Sequence, residues 1–134
     1  MALTRKAVSR NILLVLVMSA ALPMAVAAEP THPTQIVTVL KVNNGQEVLV
    51  EINGEGRAVR LACIQAPLHQ QQPWSNQAKK ALSKTLQQGS YVQMELRARD
   101  VYGRVVARLL KGKTDIASPL VSSGRVFAYD GYLG

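Results

Sequence analysis

Two arginines stand out because their side-chain type suits the binding of phosphate. Arg60 lies in the segment "RAVRLACI" (57–64), and Arg104 lies in the turn segment "DVYGR" (100–104). A guanidinium keeps its charge at physiological pH and presents a planar fork of donors that matches two phosphate oxygens. Judged on residue type alone, pairing with an acidic neighbour such as Asp100 is the simpler interpretation. Phosphate contact is the alternative.

The elements that must position these arginines follow from the hydrophobic pattern. Alternating apolar residues between turn signals predict five strands: "QIVTVLKV" (35–42), "EVLVEI" (47–52), "RAVRLACI" (57–64), "YVQMELRARD" (91–100) and "RVVARLLK" (104–111). Ser118 and Pro119 predict the N-cap and first position of one short helical turn, which Gly124 closes. "RVFAY" (125–129) then returns as a short extended piece.

One main helix is predicted between the third and fourth strands, over residues 75–88. Ser75 is the expected N-cap, and Gly89 is the expected stop. An apolar stripe recurs at helical spacing in Ala78, Ala81, Leu82, Thr85 and Leu86. Lys79, Lys80 and Lys84 lie off that stripe and are interpreted as a solvated face. Three strands, a helix and two strands predict a mostly β domain, a five-stranded Greek-key barrel of the OB type.

The start of the chain predicts export. Residues 1–28 combine a basic beginning, an apolar run and the small-residue end "AVAA" (25–28), which is the pattern of a cleaved signal peptide. An uncleaved anchor is the alternative, because the apolar stretch is nearly long enough to span a bilayer. After cleavage we expect a periplasmic or secreted protein without a membrane span, with a flexible arm at 29–34 and one domain at 35–134.

The net charge indicates which kind of molecule the chain binds, and the cysteine content indicates whether it contains a disulfide. Removing the 28 leader residues from the 134 leaves 106, with 13 basic and 8 acidic side chains and a net charge of +5. Such a charge favours nucleic acid or another polyanion, although it also serves solubility alone. Cys63 is the single cysteine, so no disulfide forms within the chain. Its spacing of two from Leu61 predicts that Cys63 packs in the core.

Three segments, taken together with the order of elements, resemble the thermonuclease family of staphylococcal-nuclease-like domains. They are "VRLACIQAP" (59–67), "DVYGRVVARL" (100–109) and "LVSSGRVFAY" (120–129), and the resemblance runs from about Gln35 to Tyr129. It implies that Arg60 and Arg104 contact the scissile phosphate. Relatives carry a further long helix after the last segment, and we expect that C-terminal helix to be missing here.

The same resemblance implies that the family's acids are replaced. Its two calcium-binding aspartates correspond to Gln46 and Gln65, and Ala66 occupies the position whose backbone carbonyl also serves the metal. Leu68 stands in place of the general-base glutamate. Because calcium affinity follows the number of charged ligands, we expect no cofactor unless the chain remains an active nuclease, which would need Ca²⁺.

Three hypotheses about function follow. The first is an exported, degenerate member of the family that binds nucleic acid or another phosphate-rich polyanion, without sequence preference because the chain has few aromatic residues to stack on bases. The second is a working phosphodiesterase that uses Glu47 or His69 instead. Glu47 is expected to face away from the side of the strand that Gln46 occupies. The third is a module that binds a protein partner in the cell envelope through the exposed barrel face.

Overall fold

The computed structural model describes residues 20–24 and 32–129. Its elements, in chain order, are β1 Thr34–Asn44, β2 Glu47–Ile52, β3 Glu55–Leu61, β4 Ile64–Gln65, α1 Trp74–Thr85, β5 Tyr91–Arg99, β6 Val105–Lys111, β7 Thr114–Asp115, α2 Ala117–Ser122 and β8 Phe127–Ala128. Most of the predicted leader lies outside the described residues, so its export function stays a prediction. No helix in the described part is long and apolar enough to cross a membrane.

The five long strands form a closed barrel. Their order is β3-β2-β1-β5-β6, with antiparallel neighbours, and a parallel pairing of β3 with β6 closes the ring. Alternate residues of each strand point inward and fill the interior with branched side chains, among them Val37, Val39, Val48, Val50, Val59, Leu61, Val105, Ala107 and Leu109. The mostly β, OB-type barrel predicted from the pattern is confirmed.

Helix α1 packs against the barrel through the predicted stripe, but its ends differ from the prediction. Leu82 is fully buried on this helix, and Lys79 is exposed. The N-cap is Pro73 and not Ser75, because the amide of Ser75 already donates to the carbonyl of Gln71 at 2.9 Å. The helix ends at Thr85, three residues earlier than predicted, since the next residue turns into the core.

The second helix also begins differently from the prediction. The N-cap of α2 is Ile116, and Ser118 lies inside the first turn. The side chain of Asp115, just before the N-cap, accepts a hydrogen bond from the amide of Ala117 at 2.9 Å, so an aspartate and not Ser118 satisfies one of the first amides of the helix. The predicted end is confirmed, because Gly124 adopts a left-handed φ of 69° and its amide donates to a carbonyl of the helix.

The prediction that Cys63 packs in the core is wrong. Strand β3 ends at Leu61, and Cys63 is exposed with a left-handed φ of 63°. Its carbonyl accepts a hydrogen bond from the amide of Tyr129 at 2.9 Å. The chain turns here to pair β4 with β8, and this turn interrupts the strand alternation on which the prediction depended.

The described end of the predicted arm, residues 32–34, lies against β5. Thr34 pairs with Glu95, and the carbonyl of Pro33 accepts the amide of Leu96 at 2.9 Å. Before them, the ring of His32 contacts a guanidinium of β5. The expected domain boundary after residue 34 therefore falls inside strand β1.

Gly45, in the turn between β1 and β2, allows the hairpin to approach α1. A Cβ atom on Gly45 would lie 2.7 Å from the Cβ of Ala78 and 3.0 Å from that of Ala66. We expect Gly45→Ala to lower the free energy of unfolding by about 1–3 kcal/mol, because a packed contact must separate. Chemical denaturation measures this change. Gly56→Ala is the matched control, since its Cβ meets only ordinary contacts of 3.6 Å or more; equal losses would contradict the explanation.

Candidate phosphate-binding site

Arg60 lies on the outer face of the barrel, between β2 and β6. Its register partners are Glu47 on β2 and Val106 on β6. Its neighbours in β3, Val59 and Leu61, point into the core, so alternation turns Arg60 outward. The residue is nevertheless only 4% exposed, because the chain after β3 folds back over it.

The loop after β3 holds the guanidinium of Arg60. Its Nη2 atom donates to Oε1 of Gln65 at 2.9 Å, and Nε2 of Gln65 donates to the carbonyl of Ala66 at 3.1 Å. From the β1–β2 turn, Oε1 of Gln46 accepts the amide of Ala66 at 2.7 Å. Gln46, Gln65 and Ala66, which the resemblance places at calcium positions, are therefore linked to one another by hydrogen bonds.

The hydrogen bonds of Gln46, Gln65 and Ala66 show whether these residues could bind calcium. Calcium takes six to eight oxygen ligands and binds more tightly as more of them are charged. Here the side-chain oxygens of Gln46 and Gln65 are neutral and already accept hydrogen bonds, as does the carbonyl of Ala66. Residues 20–24 and 32–129 contain no group of three or more histidine, cysteine, aspartate or glutamate side chains that could hold a metal. The donor set does not fit the ion.

Arg104 is fixed by the turn that precedes β6. One carboxylate oxygen of Asp100 accepts the amides of Tyr102 and Arg104, both at 2.9 Å, and the other forms an ion pair with Nε of Arg104. Gly103 closes the turn with a left-handed φ of 76°. The guanidinium carbon of Arg104 also lies 5.6 Å from the ring centre of Tyr102. The acidic neighbour considered from the sequence does pair with Arg104.

The hydrogen bonds of this turn depend on the ionised carboxylate of Asp100, so acid is expected to weaken them. Burial alone raises the pKa of this carboxyl, but the hydrogen bonds and charge of Arg104 and the amide of Tyr102 outweigh it, so the pKa is lowered. The ionised carboxylate therefore contributes its whole stabilisation at pH values above the ordinary aspartate pKa of about 3.9. This stabilisation is lost as the pH falls through the lower pKa that Asp100 has in the folded state.

An NMR titration of the Asp100 carboxyl carbon measures that pKa directly. The amide shifts of Tyr102 and Arg104 should follow the same curve, and Asp100→Asn should flatten it. A midpoint at or above the ordinary aspartate value would show that the turn does not stabilise the carboxylate as described.

Glu47 lies opposite Arg60 in the sheet and close to the side chain of Arg104. It is the register partner of Arg60, and its Oε2 atom lies 3.8 Å from Nη1 of Arg104. Asn43 donates to its other carboxylate oxygen at 2.9 Å. Gln46 lies in the turn before β2 and has different partners from Glu47. The contact of Glu47 with Arg104 was not predicted from the sequence. The signal lay in Val48, the next residue of the strand: because Val48 is buried, strand alternation places Glu47 on the outer face.

Leu68 and His69 lie in the loop beyond this network. Leu68 is 58% exposed, and its backbone amide donates to Oε1 of Gln71 at 2.7 Å. An aliphatic side chain cannot accept a proton, so Leu68 cannot serve as a general base. His69 is exposed, and its carbonyl accepts Nε2 of Gln72 at 2.9 Å.

The closed mixed barrel, with a helix between its third and fourth long strands and two arginines on its outer face, defines a small OB-type domain with a candidate phosphate site. The family model of staphylococcal nuclease homologues matches residues 58–133, more than half of the chain, and the chain belongs to that family. Membership indicates a function on nucleic acid, either binding or hydrolysis. No curated protein matches the chain.

The matched range includes some parts of the candidate site and leaves others out. Arg60, Gln65, Leu68 and Arg104 lie within it. The hairpin turn that carries Gln46 precedes it. The structure, and not the family match, therefore provides the contact between that turn and Ala66.

Proposed function

We propose that this chain is an exported member of the staphylococcal nuclease family that binds nucleic acid or another phosphate-rich polyanion without calcium-dependent hydrolysis. The observation that carries the proposal is the chain of hydrogen bonds that runs from Arg60 through Gln65 and Ala66 to Gln46. The neutral amide of Gln65 holds the guanidinium directly and that of Gln46 holds the loop beside it, in positions where the resemblance implies acidic metal ligands.

The two arginines supply complementary parts of a phosphate site. The Arg104 side chain is 39% exposed, and Asp100 holds its Nε edge, so its position is fixed before a ligand arrives. Arg60 is 4% exposed and lies on the same outer face, opposite Glu47 of β2. Two positioned guanidiniums recognise phosphate oxygens with little loss of side-chain entropy.

Neighbouring acids limit the attraction of this face. Glu47 and Asp100 both form ion pairs with Arg104, and farther along β6 Asp115 accepts a hydrogen bond from Nε of Arg108 at 2.8 Å. Long-range attraction must therefore come from the excess of basic residues elsewhere in the chain. We expect moderate affinity with a strong dependence on salt, since released counterions drive such binding.

Export is supported by the sequence alone. Residues 1–28 have the basic start, apolar run and small-residue end that are typical of a secretion signal. With a single cysteine, the chain forms no internal disulfide in the oxidising compartment outside the cytoplasm.

Fluorescence anisotropy with labelled oligonucleotides tests the binding function. At about 50 mM salt, the chain without residues 1–28 should bind single-stranded DNA and RNA of unrelated sequences equally, with chelator present, and the affinity should fall steeply as salt rises. Absence of binding under these conditions would favour the protein-interaction hypothesis.

One observation favours the phosphodiesterase hypothesis as a second candidate. Glu47 lies 3.8 Å from Arg104 on the face where a phosphate would be held, so a carboxylate is available beside the bound phosphate. Geometry of this kind suits a general base that activates a water molecule. Under this candidate, Glu47→Gln abolishes a measurable hydrolysis; under the first, no hydrolysis exists to abolish.

A further inference from the structure

A cleft next to the arginines is lined by exposed aromatic side chains. Trp74, at the start of α1, is 61% exposed, and Phe127, on β8, is 65% exposed. Both line a cavity of about 180 Å³ together with Pro67, Gln71, Gln77, Gly124 and Arg125. Large aromatic side chains usually bury most of their area, so two exposed in one cleft indicate a binding surface.

Composition makes the placement more informative. The chain has one tryptophan and one phenylalanine, and both lie in this cleft. The small number of aromatic residues predicts little stacking on bases. Their position bears on this expectation as well, because two aromatic side chains in one cleft can both contact the same base.

The cleft adjoins the arginine site through the short β4–β8 sheet. Phe127 pairs with Gln65, and paired residues of antiparallel strands point to the same face, about 5 Å apart. The amide oxygen of Gln65 accepts the guanidinium of Arg60 at 2.9 Å. A ligand on the ring of Phe127 therefore lies one side chain away from the arginine site.

We propose that this cleft binds an unpaired nucleobase, with the rings of Trp74 and Phe127 stacking on it. The inference rests on the proposed binding of nucleic acid and deepens it by selecting single strands. Every base has a π face, and stacking on an aromatic side chain stabilises each bound base by roughly 1–3 kcal/mol regardless of its identity. Bases within a duplex are stacked on each other and do not enter such a cleft.

Polar groups on the wall suit the edge of a base. Nη1 of Arg125 donates to Oε1 of Gln77 at 2.6 Å, which holds the guanidinium at the rim, where a cation attracts the backbone phosphate that accompanies a base. Gln71 contributes a second amide to the lining. A side-chain amide carries both donors and an acceptor, so it can bind different base edges, which agrees with recognition that is independent of sequence.

The single tryptophan allows a direct test. Oligo-dT should quench the fluorescence of Trp74, whereas an abasic oligomer with the same number of phosphates should not. By anisotropy, Trp74→Ala and Phe127→Ala should each weaken binding of labelled oligo-dT by about 5- to 100-fold and leave binding of the abasic oligomer unchanged. Trp74→Phe should keep most of the affinity. Tyr91→Ala is the matched control, because Tyr91 is 74% exposed elsewhere, on β5.

The outcomes separate this inference from the proposal beneath it. If the wild-type chain binds oligo-dT and the abasic oligomer equally, or if both alanine variants bind oligo-dT like the wild type, the stacking site is overturned while polyanion binding stands. If it binds neither oligomer, both proposals fail. Quenching of Trp74 by a proline-rich peptide but not by oligo-dT would identify the cleft as a protein-docking surface and overturn the inference.

Discussion

In millimolar calcium, the purified chain is expected to release no more acid-soluble nucleotide from single-stranded DNA than the same sample with chelator. Hydrolysis of a phosphodiester needs an activated water and compensation for the charge that develops. Loss of a general base alone lowers the rate by roughly 10²- to 10⁴-fold, and Leu68 cannot replace one. Gln46 and Gln65 add no charge to a metal site, and their oxygens already accept hydrogen bonds.

A rebuilt site provides the matched comparison. The triple variant Gln46→Asp, Gln65→Asp and Leu68→Glu returns the three acids, and calcium should raise its melting temperature while leaving that of the parent unchanged. Cleavage is harder to restore than calcium binding, because the three substitutions also change the hydrogen bonds that support Arg60. Robust cleavage by the parent that chelation stops would contradict the degenerate site, and its loss in Glu47→Gln would then assign the base.

Most of the barrel was predictable because its strands alternate cleanly. Residues such as Val48 and Val50 fix which face is buried, and register follows from that face. The errors lie where a distant partner overrides the local pattern. Cys63 leaves the strand because its carbonyl meets the amide of Tyr129, 66 positions later in the chain. The hydrophobic pattern within one segment cannot predict a contact with a residue so far along the chain.

The candidate site divides in the same way. The pairing of Arg104 with Asp100 is local, within one turn, and was visible in the sequence. The contact of Glu47 with Arg104 and the pairing of Phe127 with Gln65 both depend on which strands become neighbours. The sequence therefore shows the residue types of the site, while the topology decides which of them share a face.

Replacing Arg104 with alanine is expected to weaken oligonucleotide binding by about 1.5–3 kcal/mol, the range for hydrogen bonds to a charged group. The logarithmic salt dependence should also flatten by about 0.7, the contribution of one phosphate contact on a single strand. Glu47→Gln should change affinity in the opposite direction, because it removes a carboxylate that competes with phosphate 3.8 Å from Arg104. Anisotropy titrations over a series of salt concentrations measure both quantities.

Arg60 needs a gentler substitution, since it is 4% exposed and its loss would leave Gln65 without the guanidinium it accepts. Arg60→Lys keeps the charge but loses the planar fork, so it should weaken binding with little change in the salt slope. Lys79→Ala, on the exposed face of α1, is the control for a general loss of charge. If two positioned guanidiniums bind the phosphate, Arg104→Ala must lower the affinity for the oligonucleotide much more than Lys79→Ala does. Equal decreases in affinity for the two variants would show that a diffuse basic surface binds the polyanion.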